Sequence, residues 1–518
     1  MVELSRRQLL GTAAVAGSAT ALAACSPTMP AENIDTSGPP RKGGTLRVGL
    51  VGGSTADTVD AHIPASASDA ARVVNLYEPL VRRGYEYELE NRLAESLEPN
   101  EDATEWTIRL REGVKFSDGR PVRPEDVIAT YERVADPDDP KNGAGSIAHI
   151  EAMNVVDDRT LTISLSRPDA TLTDALAEYQ MGIVPEDYDP ENPIGAGPFK
   201  LVSFSAGRET VMERNEHYFL GPANLDRVEV VDFYQEDAML NALLSSQVDG
   251  IGALNHALVR VIESDPRMHV VSSETGMWLP FTMRVDHEPF DDERVRQAMR
   301  LACARPGMVD QVFSGEGQVG NDMFALYDPA YPHEFPQREQ DIEEAKKLLA
   351  DAGYPDGIDV TLSTSEIASG AVRAAQVFTE QVRDAGIRVK IDQVDSTTFW
   401  ADGNYLSYPF SQTFYYTRNF LEQVNRCATE EAPFNETHWV DDEFTARVEA
   451  ARGIVDDRER SKKIKELQRE FYDRGGYIIW GFPNQVDAYH NYVVGARPHP
   501  SGVALSQALF YDMWIAEA

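Results

Sequence analysis

The stretch WTIRLREGVKFSDGRPVRPEDVIATYERV, residues 106–134, contains three successive signals that decide the fold. Trp106–Leu110 alternates apolar and polar residues, which predicts a half-buried strand. Asp118-Gly119 then marks a turn, and Pro124 opens a segment with helical spacing of apolar residues. The inner face predicted for this helix is formed by Val127, Ile128, Tyr131 and Val134. A strand followed by a turn and an amphipathic helix is typical of mixed α/β proteins.

Segments on both sides of this stretch show the same alternation of strand and helix patterns. Thr45–Val51 is a short apolar run that predicts a strand, and Asp69–Arg83 has apolar residues at helical spacing. Phe199–Phe204 and Glu209–Arg214 flank Ala206-Gly207, which predicts a β-hairpin.

Farther along the chain, predicted helices end at glycine and lead directly into strands. Gly353, Gly386 and the pair Gly475-Gly476 are the predicted helix ends. The strands that follow them are Ile358–Leu362, Ile387–Val394 and Tyr477–Phe482. The sequence therefore predicts an α/β fold, and we find no internal repeat in it.

Ten stretches in this order resemble one protein family, the solute-binding protein family 5, which serves peptide, nickel and opine ABC importers. They are GGTLRVGL (43–50), NLYEPLVRR (75–83), LAESLEPN (93–100), the opening stretch (106–134), GAGPFKLVSF (195–204), ERNEHYF (213–219), NALLSSQVD (241–249), EPFDDERVRQAMRLA (288–302), EEAKKLLADAGYPDG (343–357) and DAGIRVKIDQVDSTTF (384–399). Each is a modest signal alone. Together they cover nearly the whole chain after its first 43 residues.

The resemblance implies a two-lobe α/β fold similar to periplasmic binding proteins, with an extended lobe I and a ligand enclosed between the lobes. We expect lobe I at 44–275 plus 485–518 and lobe II at 276–484. Met277–Arg284 and Ile478–Asp487 are the expected crossing strands. The resemblance further implies a monomer that binds a small solute and works with permease and ATPase subunits encoded separately. It implies no cofactor and no catalysis.

The N-terminal residues indicate export and lipid anchoring. Arg6 and Arg7 precede a weakly apolar run that is too short to span a bilayer, so residues 1–24 are interpreted as a twin-arginine signal. The segment ends in Leu-Ala-Ala-Cys, which resembles a lipoprotein cleavage site with Cys25 acylated. The alternative is an ordinary cleaved signal followed by an incidental cysteine. Residues 25–43, rich in proline, are expected to form a flexible tether.

Composition limits the partners. Lys and Arg number 48 and Asp and Glu 85, giving a formal net charge of −37, which disfavours binding to nucleic acid and anionic lipid headgroups. After Cys25 only Cys303 and Cys427 remain, and we expect two free thiols, although one disulfide is the alternative. No later run of 18 apolar residues is present, so the lipid is the only expected membrane attachment.

The rival interpretation is a secreted hydrolase, and its motifs are missing from the sequence. There is no Gly-x-Ser-x-Gly, no His-Glu-x-x-His and no histidine pair at i, i+4 that would suggest a metal site. The acidic run 136–140 lacks the ligand spacing of a calcium loop. Residues 315–320 match a dinucleotide-binding spacing but follow a helical pattern, so we interpret them as a loop. A structural surface protein would show repeats. We therefore expect neither catalysis nor a bound metal.

The resemblance places the ligand site partly in Phe414–Asn419. In peptide-binding relatives an aromatic loop here ends in an aspartate that holds the ligand's amino group, and this position is Arg418. A guanidinium repels an ammonium but suits a carboxylate or phosphate. Tyr415, Tyr416 and Thr417 complete this candidate, the tyrosines offering stacking faces. The alternative is that the tyrosines pack in lobe II and Arg418 pairs with acidic neighbours.

Three weaker candidates are surface or core residues in the alternative interpretation. The first, in lobe I, is Ala65, Ser66 and Ala67; the second is Ser365 and Glu366; the third is Asn435, His438 and Trp439, in the polar aromatic loop FNETHW. Peptides are the commonest ligands of the family, so a peptide or peptide-like solute is expected. The lost aspartate leaves a non-peptide anionic solute, opine-like or sugar-phosphate-like, as the alternative.

Overall fold

The computed structural model describes Thr36, residues 38–430 and residues 432–516. The predicted signal at 1–24, with Arg6 and Arg7, and the proposed lipidation site Cys25 lie outside the described residues.

The strands are numbered in chain order. They are β1 Thr45–Val51, β2 Val81–Arg83, β3 Leu89–Asn91, β4 Ala94–Pro99, β5 Glu105–Leu110, β6 Ile150–Val155, β7 Thr160–Leu165, β8 Phe199–Ser205, β9 Glu209–Arg214, β10 Arg227–Phe233, β11 Gly250–Ile251, β12 Met268–Ser273, β13 Phe281–Met283, β14 Gly317–Val319, β15 Ile358–Thr364, β16 Ile387–Gln393, β17 Phe410–Gln412, β18 Tyr477–Ile478, β19 Gly481–Pro483, β20 Gln485–His490, β21 Val493–Val494 and β22 Trp514–Ile515.

The α-helices are also numbered in chain order. They are α1 Ala67–Leu76, α2 Pro124–Val134, α3 Ala144–Ile147, α4 Leu172–Leu176, α5 Glu236–Leu244, α6 Val259–Glu263, α7 Glu293–Leu301, α8 Arg305–Phe313, α9 Ile342–Asp351, α10 Ala371–Val382, α11 Ser396–Trp400, α12 Phe420–Cys427, α13 Asp442–Arg452 and α14 Asp457–Arg474. Short 3-10 turns lie at Tyr179–Met181, His256–Leu258, Arg383–Ala385, Tyr405–Ser407 and Phe510–Asp512.

One group of strands forms a seven-stranded sheet in the order β12-β20-β11-β1-β10-β9-β8. β1 pairs in parallel with both β10 and β11, whereas β20 pairs antiparallel with β11 and β12 and therefore brings the C-terminal part of the chain into this sheet. A separate four-stranded sheet, β4-β5-β7-β6, contains the strand of the opening stretch. Trp106, Ile108 and Leu110 on β5 are buried against Val127, Tyr131 and Val134 of α2 in one core.

The second group of strands lies between residues 281 and 483. It comprises the three-stranded sheet β17-β13-β18 and the pairs β15-β16 and β14-β19. The buried hydrophobic clusters separate into the same two groups. Those formed by residues within 278–482 contain no member from 46–271 or 486–513. The chain passes between the two groups after β12 and again between β19 and β20. The mixed α/β architecture predicted from the sequence is confirmed.

Several predicted elements appear with the predicted bounds or close to them. β1 spans Thr45–Val51, α2 begins at Pro124, and β8 and β9 form the hairpin. Two predictions were wrong. The helix predicted over Asp69–Arg83 ends at Leu76, since Pro79 cannot continue it and Val81–Arg83 forms β2. Within residues 315–320, predicted as a loop, Gly317–Val319 is a strand that pairs antiparallel with β19.

A left-handed turn closes the C-terminal part of the first group. Leu505, Ser506, Gln507 and Ala508 all have φ between 53° and 60°, a conformation that side chains with a Cβ rarely adopt. The buried carboxylate of Asp487 in β20 accepts the backbone N–H of Ser506 at 3.0 Å. The same carboxylate accepts the N–H of Ala253 at 3.1 Å, so Asp487 holds this turn against the end of β11.

Two further findings concern the membrane and the cysteines. Within the described ranges, no helix has both the length and the apolar character needed to cross a bilayer. Cys303 and Cys427 are free and buried, and burial raises the pKa of each thiol to about 12.

Candidate ligand-binding site

A cavity of about 1160 Å³ lies where the two groups of strands meet. One wall comes from the first group and includes the loop Lys141–Ser146, Arg167, Tyr179 and Gln180. The other wall comes from residues 400–449 of the second group. Its lining residues there include Trp400, Tyr405, Thr413, Phe414, Tyr415, Tyr416, Arg418, Arg426 and Phe434. A molecule in this cavity would therefore contact both parts of the protein.

Arg418 lies at the end of the aromatic loop and is 8% exposed. Its Nε donates to Glu422 Oε1 at 3.1 Å, within the second group, and its Nη2 donates to Glu178 Oε2 at 3.1 Å, on the side of the first group. Burial opposes the charge, but the two glutamates outweigh it and the pKa of Arg418 is raised. The structure thus shows the pairing that the sequence left as an alternative: Arg418 borders the cavity, yet acidic neighbours already hold its guanidinium.

Glu178 and Glu422 approach the guanidinium of Arg418 from opposite sides of the same boundary. Two buried carboxyl groups this close to each other disfavour the charged form of one of them. Burial, followed by the charge of Glu178, raises the pKa of Glu422 to about 8. Asn419 adds another bond across the boundary, donating to Asp174 Oδ2 at 3.0 Å.

Tyr415 borders the cavity but its hydroxyl is used elsewhere. It donates to Glu436 at 2.9 Å, and Tyr477 and Tyr405 also donate to this carboxylate. The Tyr415 ring stacks on Trp278 with centroids 4.7 Å apart. Burial raises the pKa of Glu436, whereas the three hydroxyls favour its charged form. The buried Glu436 carboxylate, through these hydrogen bonds, holds Tyr405 and Tyr415 in the cavity wall.

Tyr416 and Thr417, the next residues of the loop, lie in different surroundings. Tyr416 is half-buried, lines the cavity and meets Phe414 edge to face with centroids 6.1 Å apart. Thr417 is buried and faces away from the cavity, since its hydroxyl donates to the carbonyl of Pro500 and accepts the N–H of Gly276 at 2.9 Å. Within this loop Tyr416 therefore presents the aromatic face and Thr417 fastens the loop to the crossing segment.

Ala65, Ser66 and Ala67 form the start of α1 and lie outside the described cavity lining. The Ser66 hydroxyl accepts the N–H of Asp69 at 3.0 Å, and the Asp69 carboxylate accepts the N–H of Ser66 at 3.1 Å. This reciprocal capping box accounts for the polar residues at this position.

The FNETHW loop is organised around its own asparagine. Asn435 donates to the carbonyl of Trp439 at 2.9 Å and accepts the N–H of Trp439 at 3.1 Å. Trp439 is buried among aromatic rings, 5.9 Å from both Phe444 and Phe471. His438 contacts Asp286 and the carbonyl of Leu406. Asn435, His438 and Trp439 are outside the described cavity lining, whereas Phe434 of the same loop lines it.

Ser365 and Glu366 follow β15, one buried and the other exposed. They are outside the described lining of the large cavity, and their neighbours Ala368 and Ser369 line a second cavity of about 60 Å³ near the crossing strands. Its other lining residues include Met277, Trp278, Leu279, Phe414 and Gln485. A cavity of this size holds no more than a few water molecules.

Sequence reasoning missed Glu178, Glu422 and Arg426. Glu422 and Arg426 stand four and eight residues after Arg418, a helical spacing that would have placed all three on one face of α12 and its start. Glu178 gave no such signal, because 240 residues separate it from Arg418. In the part of the chain that the structure describes, no group of three or more His, Cys, Asp or Glu side chains could hold a metal ion.

Comparisons with known proteins agree with this geometry. The family model for bacterial extracellular solute-binding proteins, family 5 middle, matches residues 88–425. The glutathione-binding protein GsiB of Escherichia coli strain K12 is 25% identical over 352 residues, covering 66% of this chain and 69% of GsiB.

Solved structures share the fold over most of the chain. AgaA from A. tumefaciens R10, in complex with agropinic acid, superposes with a TM-score of 0.77 at 26% identity, covering 92% of this chain and 99% of AgaA. The substrate-binding protein CtaP from Listeria monocytogenes gives a TM-score of 0.81 at 19% identity, covering 92% and 100%. The expected two-lobe fold of periplasmic binding proteins is thereby confirmed. Since the family model matches more than half of the chain, the protein belongs to the family 5 bacterial extracellular solute-binding proteins, the substrate-binding components of ABC importers.

Proposed function

We propose that this protein captures a peptide or peptide-like solute between its lobes and delivers it, as a monomer, to a permease and an ATPase encoded separately. The observation that carries the proposal is the cavity of about 1160 Å³, because side chains from both groups of strands line it. A ligand that contacts both walls stabilises the closed arrangement by its differential affinity for that state. A permease can then recognise the closed shape.

The relatives support this ligand class and one alternative. GsiB is named as a glutathione-binding protein, and glutathione is a tripeptide. AgaA binds agropinic acid, which is not a peptide. Cationic side chains in the cavity wall keep a non-peptide anionic solute, opine-like or sugar-phosphate-like, as the second candidate.

We assign lobe I to 44–275 plus 485–518 and lobe II to 276–484. The division of the buried clusters supports these bounds, since none combines residues from 278–482 with residues from the rest of the chain. The crossing segments Met277–Arg284 and Ile478–Asp487 would then be the hinge strands.

The proposal includes export through the twin-arginine route and a lipid anchor on Cys25 outside the cytoplasm. Its support is the sequence of residues 5–25 and the extracellular character of the family. Cys25→Ala should abolish membrane association without lowering the melting temperature of the folded part. Equal retention of wild type and variant in the detergent phase of a partition assay would contradict the anchor.

We further propose that the protein catalyses nothing. The test is a thermal-shift screen with di- to pentapeptides, glutathione and agropinic acid, alongside turnover assays on peptide, ester and phosphate substrates. A binding protein raises its melting temperature with its ligand by mass action and shows no turnover. Turnover that survives repurification and disappears with a single substitution would favour the secreted hydrolase instead.

A further inference from the structure

Arg426 differs from the other cationic side chains that line the cavity. Lys141 pairs with Asp139, Arg167 with Glu449, and Arg418 with Glu178 and Glu422. By contrast, Arg426 has only a long ion pair within the described ranges, 3.8 Å from its Nε to Glu422 Oε1, and this buried Nε donates no hydrogen bond. Its side chain is 19% exposed and belongs to the cavity wall.

The groups around Arg426 leave it only a weak share of the acidic partners. Glu178 and Glu422 both accept hydrogen bonds from Arg418 at 3.1 Å, whereas Arg426 approaches Glu422 at 3.8 Å. Burial, followed by the charge of Glu178, raises the pKa of Glu422 and so disfavours its charged form. Next to them, Arg83 and Asp174 form a separate ion pair at 2.5 Å.

Two acidic residues also lie at the cavity edge. Glu430 and Asp442 line the cavity but are exposed, so water and salt screen their charges more than that of Arg426. Tyr179 and Tyr416 lie in the same lining, and burial raises the pKa of each, so both hydroxyls are uncharged at neutral pH. Their rings offer stacking faces in the same cavity wall as Arg426.

We propose that Arg426 holds an anionic group of the bound solute, a carboxylate in the first instance, while Tyr416 and Tyr179 pack against the part of the solute next to it. This inference rests on the proposed function and narrows its ligand to solutes with a free acid group. Arg418 then has another task, joining the two lobes, and the anion-binding role expected for it passes to the residue eight positions later. A half-buried cation held only by an ion pair of 3.8 Å is weakly compensated, and an anionic ligand adds a charge-assisted hydrogen bond to it.

The experiment uses N-acetylphenylalanine and N-acetylphenylalaninamide, two small probes that differ only in a carboxylate and an amide. Their binding to the full protein is measured by ligand-observed NMR titration. Wild type should prefer the acid by about tenfold or more, the size expected for a charge-assisted contact. Arg426→Gln should remove this preference and Arg426→Lys should retain part of it. Arg383→Gln, which deletes an exposed arginine just after α10, controls for the change in net charge.

Three results would overturn the inference that Arg426 binds an anionic group. They are equal affinity of wild type for the acid and the amide, no binding of either probe, and an acid preference that survives Arg426→Gln. If Arg426→Gln does not fold, the acid preference of wild type and its partial loss in Arg426→Lys provide the test. The peptide screen described above is independent: an empty screen with an intact acid preference rejects the proposed ligand class but keeps Arg426 as an anion site.

Discussion

Two buried arginines, Arg72 in α1 and Arg418 before α12, differ in where their partners come from. All three nitrogens of Arg72 are bonded inside one lobe: to Thr210 at 2.7 Å, Asp69 at 2.6 Å and Asp232 at 2.5 Å. Its carboxylates outnumber its single positive charge, because Asp57 lies 3.8 Å away as well. Around Arg418 the partners come from both lobes, and two guanidiniums, those of Arg418 and Arg426, meet two carboxyls.

The difference indicates separate functions. The Arg72 cluster is enclosed and acid-rich, so it stabilises the sheet on which it lies and has no group left for a ligand. The Arg418 cluster contains as many arginines as glutamates and borders the cavity of about 1160 Å³. Its bond from Arg418 to Glu178 joins the two lobes, so separation of the lobes breaks it. We infer that the first cluster supports the fold and the second couples lobe closure to binding.

The largest expected effect is on Arg72. Arg72→Ala leaves Asp69 and Asp232 buried without their cation, which typically costs about 3–5 kcal/mol of the free energy of unfolding. Urea unfolding followed by circular dichroism measures the loss. Arg109→Ala, at an exposed position in the same lobe, should change stability by less than about 0.5 kcal/mol. Equal losses in the two variants would remove the contrast on which the comparison rests.

Arg418→Ala should act mainly on lobe closure. It leaves Glu178 and Glu422 facing each other across the boundary, so the closed state should lose population and ligand affinity should fall about tenfold to a hundredfold. Small-angle scattering should give a larger radius of gyration than for wild type. Arg447→Ala removes a largely exposed arginine of the same lobe, which forms an ion pair with Glu470, and serves as the control. Unchanged scattering and affinity, combined with a lower melting temperature, would make Arg418 a residue of the fold like Arg72.

The Arg418 cluster should also respond to pH. The folded-state pKa of Glu422 is raised to about 8, above its value in the unfolded chain, so the folded state holds an extra proton between that value and pH 8. The stability contributed by Glu422 is complete in acid and is lost as the pH rises through about 8. The pKa of Glu178 is lowered, so its contribution is lost instead as the pH falls.

Glu422→Gln separates these two contributions. The melting temperature of wild type relative to this variant should decrease from pH 6 to pH 9, because glutamine keeps the neutral form. A difference that is constant over this range would show that Glu422 carries no extra proton in the folded protein.

The smallest effect is expected for His438, a predicted site residue outside the described cavity lining. His438→Ala removes exposed contacts with Asp286 and Leu406, so affinity should stay within about twofold and stability should change by about 0–1 kcal/mol. Calorimetry with the solute recovered from wild type measures the affinity. A loss of tenfold or more would place the site in the FNETHW loop and would break the link between Arg418 and ligand capture.

The fold was largely predictable because local patterns carry it. Trp106–Leu110 alternates apolar and polar residues because one face of this strand is buried and the other exposed. Pro124 starts α2 at a position where its missing N–H costs nothing. The error over Asp69–Arg83 came from following apolar spacing past Pro79. The strand at Gly317–Val319 depends on pairing with β19, a partner more than 160 residues away, which a local pattern cannot reveal.

The site was less predictable for the same reason. Tyr416 and Arg418 were found through a resemblance that extends to their loop, and both border the cavity. The acidic partners that determine the role of Arg418 were not predicted, because Glu178 contacts Arg418 only through the packing of one lobe on the other. Whether an arginine binds a ligand depends on which carboxylates surround it after folding, and only tertiary structure specifies them.

The most direct test of the account is a crystal structure of the protein purified with the solute that it retains from its host. We predict a peptide or peptide-like molecule in the cavity between residues 141–180 and 400–449, with an acid group hydrogen-bonded to Arg426 and the Arg418–Glu178 bond intact. A solute bound elsewhere, or one whose cationic end points at Arg426, would contradict the account.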